Sequence, residues 1–284
     1  MCETCGCGDG NVRIEGEHTH VHADGTVVRH THGHAHAHEH EHEHGHGHEH
    51  EHGHGHGHEH AHGPTVIELE ADVLAKNARA AAHNRGWFEG RGVLVLNMMS
   101  SPGSGKTTLL EKTLGTLLAT SKDVFVLEGD QETTRDADRI RATGARALQI
   151  NTGKGCHLEA DMVMRGASAL EPPPGSLLFI ENVGNLVCPA LFDLGEAARV
   201  VLFSVTEGED KPLKYPHMFR AADLVLLTKV DLLPHLDFDM AAARKAIDTV
   251  KPKTPVLEVS ARSGTGMPEW LQWVAARNSI ARAP

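Results

Sequence analysis

Ser100-Ser-Pro-Gly-Ser-Gly-Lys-Thr-Thr108 follows an apolar run, Val93-Leu-Val-Leu-Asn-Met-Met99, and leads into Thr108-Leu-Leu-Glu-Lys-Thr-Leu-Gly-Thr-Leu-Leu118, which has helical spacing. No other stretch constrains the fold as much. Strand, glycine-rich loop and helix in that order are the setting of a phosphate-binding loop. Successive backbone N–H groups point inward there, and the helix N-terminus adds positive potential. Gly103, Ser104, Gly105, Lys106, Thr107 and Thr108 are the candidate phosphate contacts. Lys106 is placed to reach the β/γ-phosphates and the Thr107 hydroxyl to bind Mg²⁺. A glycine-rich turn with an exposed lysine would use the same residues, but it would not need the flanking strand and helix. Ser100 stands where G-x-x-x-x-G-K-[ST] has its first glycine.

The chain of 284 residues is long enough for one sizeable α/β domain with appendages. A formal net charge of −11 argues against a nucleic-acid partner, which calls for a basic face. No apolar run is long enough to span a membrane, and Met1-Cys-Glu-Thr-Cys-Gly-Cys-Gly8 has neither the basic nor the apolar segment of a signal peptide. The expected compartment is the cytoplasm, where thiols stay reduced and read as metal ligands before they read as disulfides.

Cys2, Cys5 and Cys7 form C-x-x-C-x-C, with Gly6 and Gly8 supplying loop freedom. Three thiolates and the nearby α-amino group suit tetrahedral Zn²⁺ or tetragonal Ni²⁺. From His18 to His62 the chain alternates His with Gly, Glu or Ala, and 20 of its 24 histidines lie there. Such a composition builds no packed core and predicts disorder with many overlapping imidazole sites. These sites should release metal as pH falls through roughly 6. As a flexible linker the tract would span on the order of 40 Å. The expected division is a cysteine motif over 1–17, a His-rich tract over 18–63 and a nucleotide-binding domain over 64–284.

Val66 to Arg85 predicts an amphipathic helix with Val66, Leu69, Val73 and Leu74 as its apolar stripe, packed on the domain or on a second subunit. Gly86, Gly90 and Gly92 are then expected to break the chain. The strand Asp123–Asp130 ends in acidic residues, and Asp130 is a candidate to hold Mg²⁺ or to orient the attacking water. Cys156 and His157 adjoin in a glycine-rich loop before a helix from about Leu158 to Leu170. Two donors side by side hold a metal poorly unless another cysteine, such as Cys188, or a second copy of the chain approaches. Leu177–Gly184 reads as a buried strand followed by a loop, in which Glu181 and Gly184 occupy a D-x-x-G-like position, with Glu in place of Asp.

Asp223-Leu-Val-Leu-Leu-Thr-Lys-Val-Asp231 is a strand running into T-K-x-D. A carboxylate at Asp231 can accept from guanine N1–H and the 2-amino group, a donor pair that adenine lacks. The usual motif is N-K-x-D; Thr228 keeps a hydroxyl and loses the amide. Ser260-Ala261-Arg262 ends the next strand like the S-A-K loop that contacts guanine O6. With Lys106 and Lys229, these residues favour GTP and GDP over adenine nucleotides.

In this order the motifs resemble the HypB-type GTPases that insert nickel into [NiFe]-hydrogenase. The resemblance rests on C-x-x-C-G-C, the His-rich tract, S-S-P-G-S-G-K-T, E-G-D, G-C-H-L, E-N-V-G-N-L-V-C-P and T-K-V-D. Urease-loading relatives lack this cysteine set. Related ATPases place a signature lysine where this chain has Ser101. The resemblance implies an α/β fold with a doubly wound, mostly parallel sheet and a slow GTPase cycle in which Lys106, Asp130 and Glu181 act. It implies a nucleotide-dependent homodimer with a nickel or zinc site at its interface from Cys156, His157 and Cys188, and a tight nickel site at Cys2, Cys5 and Cys7. The implied partners are a companion nickel chaperone, the A-type accessory protein, and the immature hydrogenase large subunit. Nickel storage and urease-type insertion are the alternative functions.

Overall fold

The computed structural model describes residues 13–14, 18–21, 27–30, 66–120, 122–130, 134–153 and 155–281. The chain divides into a unit over Gly16–Glu70 and a larger unit made of Met1–Glu15 with Ala71–Pro284. In the smaller unit, β2 (His18–Val21) and β3 (Val27–His30) pair antiparallel, with His18 opposite His30. Thr19, Val21, Val27 and Val28 give this end of the His-rich tract the β-branched content that the rest lacks.

Seven runs of Val, Leu, Ile, Phe and Met form the parallel sheet of the larger unit. They are β4 (Leu94–Ser100), β5 (Val124–Asp130), β6 (Arg146–Asn151), β7 (Leu177–Glu181), β8 (Ala198–Ser204), β9 (Leu224–Thr228) and β10 (Val256–Val259). The order is β6-β5-β7-β4-β8-β9-β10, and the two-residue β1 (Arg13–Ile14) lies antiparallel on β6. Strands covered on both faces need no alternation, and all seven residues of β4 are buried. Leu94, Leu96 and Met98 point to one face, against Leu110 and Leu114 of α2 (Lys106–Ala119) and Trp270 and Val274 of α9 (Met267–Ala281). Val95 points to the other, among Phe88, Phe125, Leu127 and Val163 of α4 (Ala160–Leu170). A third cluster packs Phe203, Val225 and Leu227 against Phe219 of α7 (Pro216–Ala221) and Ile247 of α8 (Met240–Val250). The chain reverses its winding at β4, so the crevice at its C-terminal end is the expected ligand position.

The first helix departs from its expected form. α1 runs from Val66 through Gly86 to Gly90. Val73 and Leu74 of the expected stripe are exposed, at 38% and 37%. Val66 and Leu69 lie outside the residues whose side chains are described, and among those that are described the buried positions are Asn77, Ala81, Asn84 and Phe88. Asn84 Nδ2 donates to the carbonyls of Ala160 (2.7 Å) and Leu194 (2.9 Å); Asn77 Oδ1 accepts from Ala160 N–H at 2.9 Å, and its Nδ2 donates to Asp193 O at 2.7 Å. The helix docks through amides, which a search for apolar periodicity passes over. Gly86 costs such an anchored helix only about 1 kcal/mol.

Candidate functional site

Gly103 (φ 74°) and Gly105 (φ 97°) hold left-handed backbone that lets the loop after β4 curl into α2. Lys106 is buried, and its Nζ donates to Ser100 Oγ at 2.8 Å. Burial lowers the lysine pKa, opposed first by Glu181. Ser100 thus gives the ammonium a hydroxyl partner. Glu207 braces the loop from outside: it accepts from Ser101 Oγ, from Ser104 Oγ at 2.6 Å and from Ser204 N–H at 3.1 Å. Its only sequence signal is its place in the charged run after β8.

Thr228 Oγ1 donates to the Ser104 carbonyl at 2.8 Å. The hydroxyl therefore keeps the bond between loops that the missing amide put in question. Lys229, itself at φ 61°, donates from Nζ to Gly103 O at 2.6 Å. Asp231 Oδ1 accepts from Ser260 Oγ at 2.6 Å. A pocket of about 230 Å³ opens between these loops, lined by Gly105, Thr108, Lys229, Asp231, Ala261 and Arg262 among others.

The strand ends beside α2 are acidic. Thr107 Oγ1 donates to Glu181 Oε1 at 2.7 Å. Glu128 of β5 is the register partner of Glu181 on β7, and both are buried. Burial, then Glu181, pushes the Glu128 carboxyl up to about 9; burial also lifts Glu181 to about 7, with Lys106 as the largest opposing influence. Oε2 of each is buried without a hydrogen-bond partner. Glu128 entered the sequence reading only as the first residue of E-G-D, with no role of its own, although an acid inside an otherwise apolar strand is a signal. Asp130 closes β5, and its carbonyl accepts from Thr152 N–H at 2.9 Å. Orphaned carboxylate oxygens beside a threonine hydroxyl are the donor set of a hard divalent cation, so these residues fit Mg²⁺.

Cys156, His157 and Cys188 come together within one chain, their ligand atoms all within 4.8 Å of one another. The two Sγ atoms are 2.8 Å apart, well beyond the roughly 2.05 Å of a disulfide. His157 Nδ1 is 3.7 Å from Cys156 Sγ, and its ring stacks on Phe192 at 3.7 Å between centroids. Its Nε2 is buried without a partner. Burial lowers the imidazole to about 4, so the ring is neutral and fit to ligate near pH 7. Cys156 follows β6, and Cys188, first residue of α5 (Cys188–Leu191), follows β7. Asn77 and Asn84 of α1 hold Ala160 behind the first segment and Asp193 and Leu194 behind the second. Arg85 adds a two-pronged ion pair to Asp193, both distances 2.8 Å. Cys2, Cys5 and Cys7, and most of the His-rich tract, lie outside the described residues.

Residues 94–258 match the family model described as CobW/HypB/UreG, nucleotide-binding domain. The hydrogenase maturation factor HypB of Azotobacter chroococcum is 62% identical over 209 residues, covering 74% of this chain and 68% of that protein. The chain belongs to the HypB family. A further HypB, named hydrogenase/urease maturation factor, from Helicobacter pylori strain J99, is 45% identical over 203 residues, 69% of this chain and 81% of that one. Among solved structures, HypB from Helicobacter pylori in complex with nickel superposes with a TM-score of 0.68 at 40% identity, covering 74% of this chain and 98% of that one. The parallel sheet with flanking helices is thus the HypB fold. Among the described residues no helix is long and apolar enough to cross a membrane.

Proposed function

We propose that this protein is a GTP-hydrolysing nickel metallochaperone of [NiFe]-hydrogenase maturation, acting in the cytoplasm as a nucleotide-dependent homodimer. One observation carries the reading. Glu181, the last residue of β7 and bonded to Thr107 of the phosphate loop, is joined by one short segment to Cys188, a donor of the thiol–imidazole cluster. A change at the phosphates is therefore a change at the root of the metal site.

In this reading Asp231, oriented by Ser260, selects guanine, with Lys229, Ala261 and Arg262 around the base. Gly103, Ser104, Gly105 and Thr108 contact the phosphates, and Lys106 neutralises the β/γ-phosphate charge. Thr107, Asp130 and Glu181 would hold Mg²⁺, which when bound would supply charge neutralisation for the phosphates. Nickel, or zinc at the same donors, is cargo: Cys156, His157 and Cys188 hold it, and Cys2, Cys5 and Cys7 capture it. GTP and GDP states shift the dimer and with it the hold on the metal. Hand-over goes to the A-type accessory protein and the immature hydrogenase large subunit.

The test is complementation of cells lacking this protein, with nickel content of the hydrogenase large subunit as readout. The full chain should restore it; Lys106→Ala and Cys188→Ser should not, even in nickel-replete medium. Restoration by both variants would refute the reading. A second reading, storage, is favoured by the histidine tract: there, deletion of 18–62 would abolish maturation. Because the Helicobacter pylori relative is named for urease as well as hydrogenase, urease activity is measured in the same cells.

A further inference from the structure

Leu158, the residue after His157, is fully buried. Its side chain lies on Gly129, the middle residue of Glu128-Gly129-Asp130: a Cβ on Gly129 would meet Leu158 Cδ1 and Cγ at 2.8 Å. Gly129 has no left-handed backbone, so what this position requires is room for Leu158.

The Leu158 N–H donates to Asn182 Oδ1 at 3.4 Å. Asn182 follows Glu181 and is itself pinned. Its N–H donates to Met98 O at 3.0 Å, its Nδ2 to Asn97 Oδ1 at 3.3 Å, and its Oδ1 also accepts from Val183 N–H at 2.9 Å. Upstream, Thr152 N–H holds the Asp130 carbonyl at 2.9 Å, and Thr152 exchanges bonds with Gly155 (N–H to Thr152 O, 2.9 Å; Thr152 Oγ1 to Gly155 O, 2.7 Å). Cys156 and His157 are thus fastened on one side to the residue carrying one proposed Mg²⁺ ligand and on the other to the neighbour of the second.

We propose that Leu158, wedged on Gly129 and hung from Asn182, is the positioning residue through which the nucleotide state at Asp130 and Glu181 sets the geometry of the Cys156–His157–Cys188 metal site. This rests on the nucleotide-controlled metal hold proposed above. The physical ground is close packing: a contact with no slack passes a sub-ångström shift of a strand end to the next element undiminished. Leu158 has rigid partners on both acidic strand ends, and its backbone continues directly into His157.

The full chain is titrated with GDP and with a non-hydrolysable GTP analogue, each with and without Ni²⁺, beside Cys188→Ser. Because coupling is reciprocal, a nickel-induced change in the ratio of the two nucleotide affinities measures the effect of nucleotide on nickel. In the wild-type chain Ni²⁺ should change that ratio at least about five-fold, and Cys188→Ser should abolish the change. Leu158→Ala should bring the change below about two-fold while both nucleotides still bind. As a cavity there can unfold the chain, Gly129→Ala decides in that event: its methyl displaces Leu158 and should alter the ratio change, and adding Leu158→Val should move it back toward wild type. A wild-type ratio that nickel leaves alone, or a change that survives Cys188→Ser, overturns the nucleotide–nickel reading and the wedge with it. A change abolished by Cys188→Ser but retained in full by Leu158→Ala or by Gly129→Ala overturns the wedge alone.

Discussion

Replacing Glu128 by glutamine should stabilise the nucleotide-free chain, and the gain should grow with pH. Glu128 is 3% exposed and faces Glu181 across the β5–β7 register. Burial and then the Glu181, Asp130 and Asp136 charges lift its carboxyl from 4.5 to about 9. Between those values the folded chain keeps a proton that the unfolded chain has released, so stability falls as pH rises. Nothing is lost below pH 4.5; from there the loss runs at about 1.4 kcal/mol per pH unit and reaches about 3 kcal/mol by pH 7. Glutamine keeps the shape and cannot ionise. Urea denaturation of both full chains with EDTA and without nucleotide, at pH 5 and pH 7, reads the difference directly. The titrating histidines are common to both chains and cancel. The variants should agree within about 1 kcal/mol at pH 5 and separate by about 3 kcal/mol at pH 7. Equal separation at the two pH values would show that the folded chain holds no extra proton at Glu128, and the argument from its burial would fall.

Asp231→Asn should turn nucleotide preference from guanine toward xanthine. The amide replaces one acceptor by a donor, and losing two charge-assisted bonds of about 1.5–3 kcal/mol each weakens GDP by at least about 100-fold. Competition between GDP and xanthosine diphosphate measures this, and an unaltered preference would remove Asp231 from the base site. Thr228→Val should leave the buried Ser104 carbonyl without its hydroxyl donor at a cost of about 1–3 kcal/mol. Chemical denaturation and GDP affinity should both register the loss, and a variant matching wild type in both would show that bond to be dispensable.

The phosphate loop and most of the parallel strands were legible because their chemistry is local. Glycines at forced dihedrals, a lysine and a threonine at fixed offsets and continuous apolar runs all show within a few residues. From spacing alone the candidate metal cluster was half legible. Cys156 and His157 adjoin, but Cys188 is 32 positions away from Cys156 and its approach depends on strand order. The segments after β6 and β7 meet beside the end of β5, which lies between those strands. Spacing alone does not encode that; the family resemblance carried by G-C-H-L and V-C-P supplied Cys188. The docking face of α1 was misread for a different reason: among the described side chains it is Asn77, Ala81, Asn84 and Phe88, and two of those four score as polar. Glu207 and Asn182 were missed because their work is to hold other residues, and a brace has no spacing rule of its own.

Under the proposed function, the hydroxyl at Ser100 bears on how the nucleotide is captured. A lysine side chain free in water gives up about 2 kcal/mol of rotamer entropy when a ligand fixes it. Lys106 is already fixed, stretched back to Ser100 and stripped of most of its water before any nucleotide arrives. In the proposed nucleotide cycle an arriving phosphate would meet a docked, under-solvated ammonium, and its charge would take the place of lost hydration. On that reading, serine in place of the loop's first glycine preorganises the lysine.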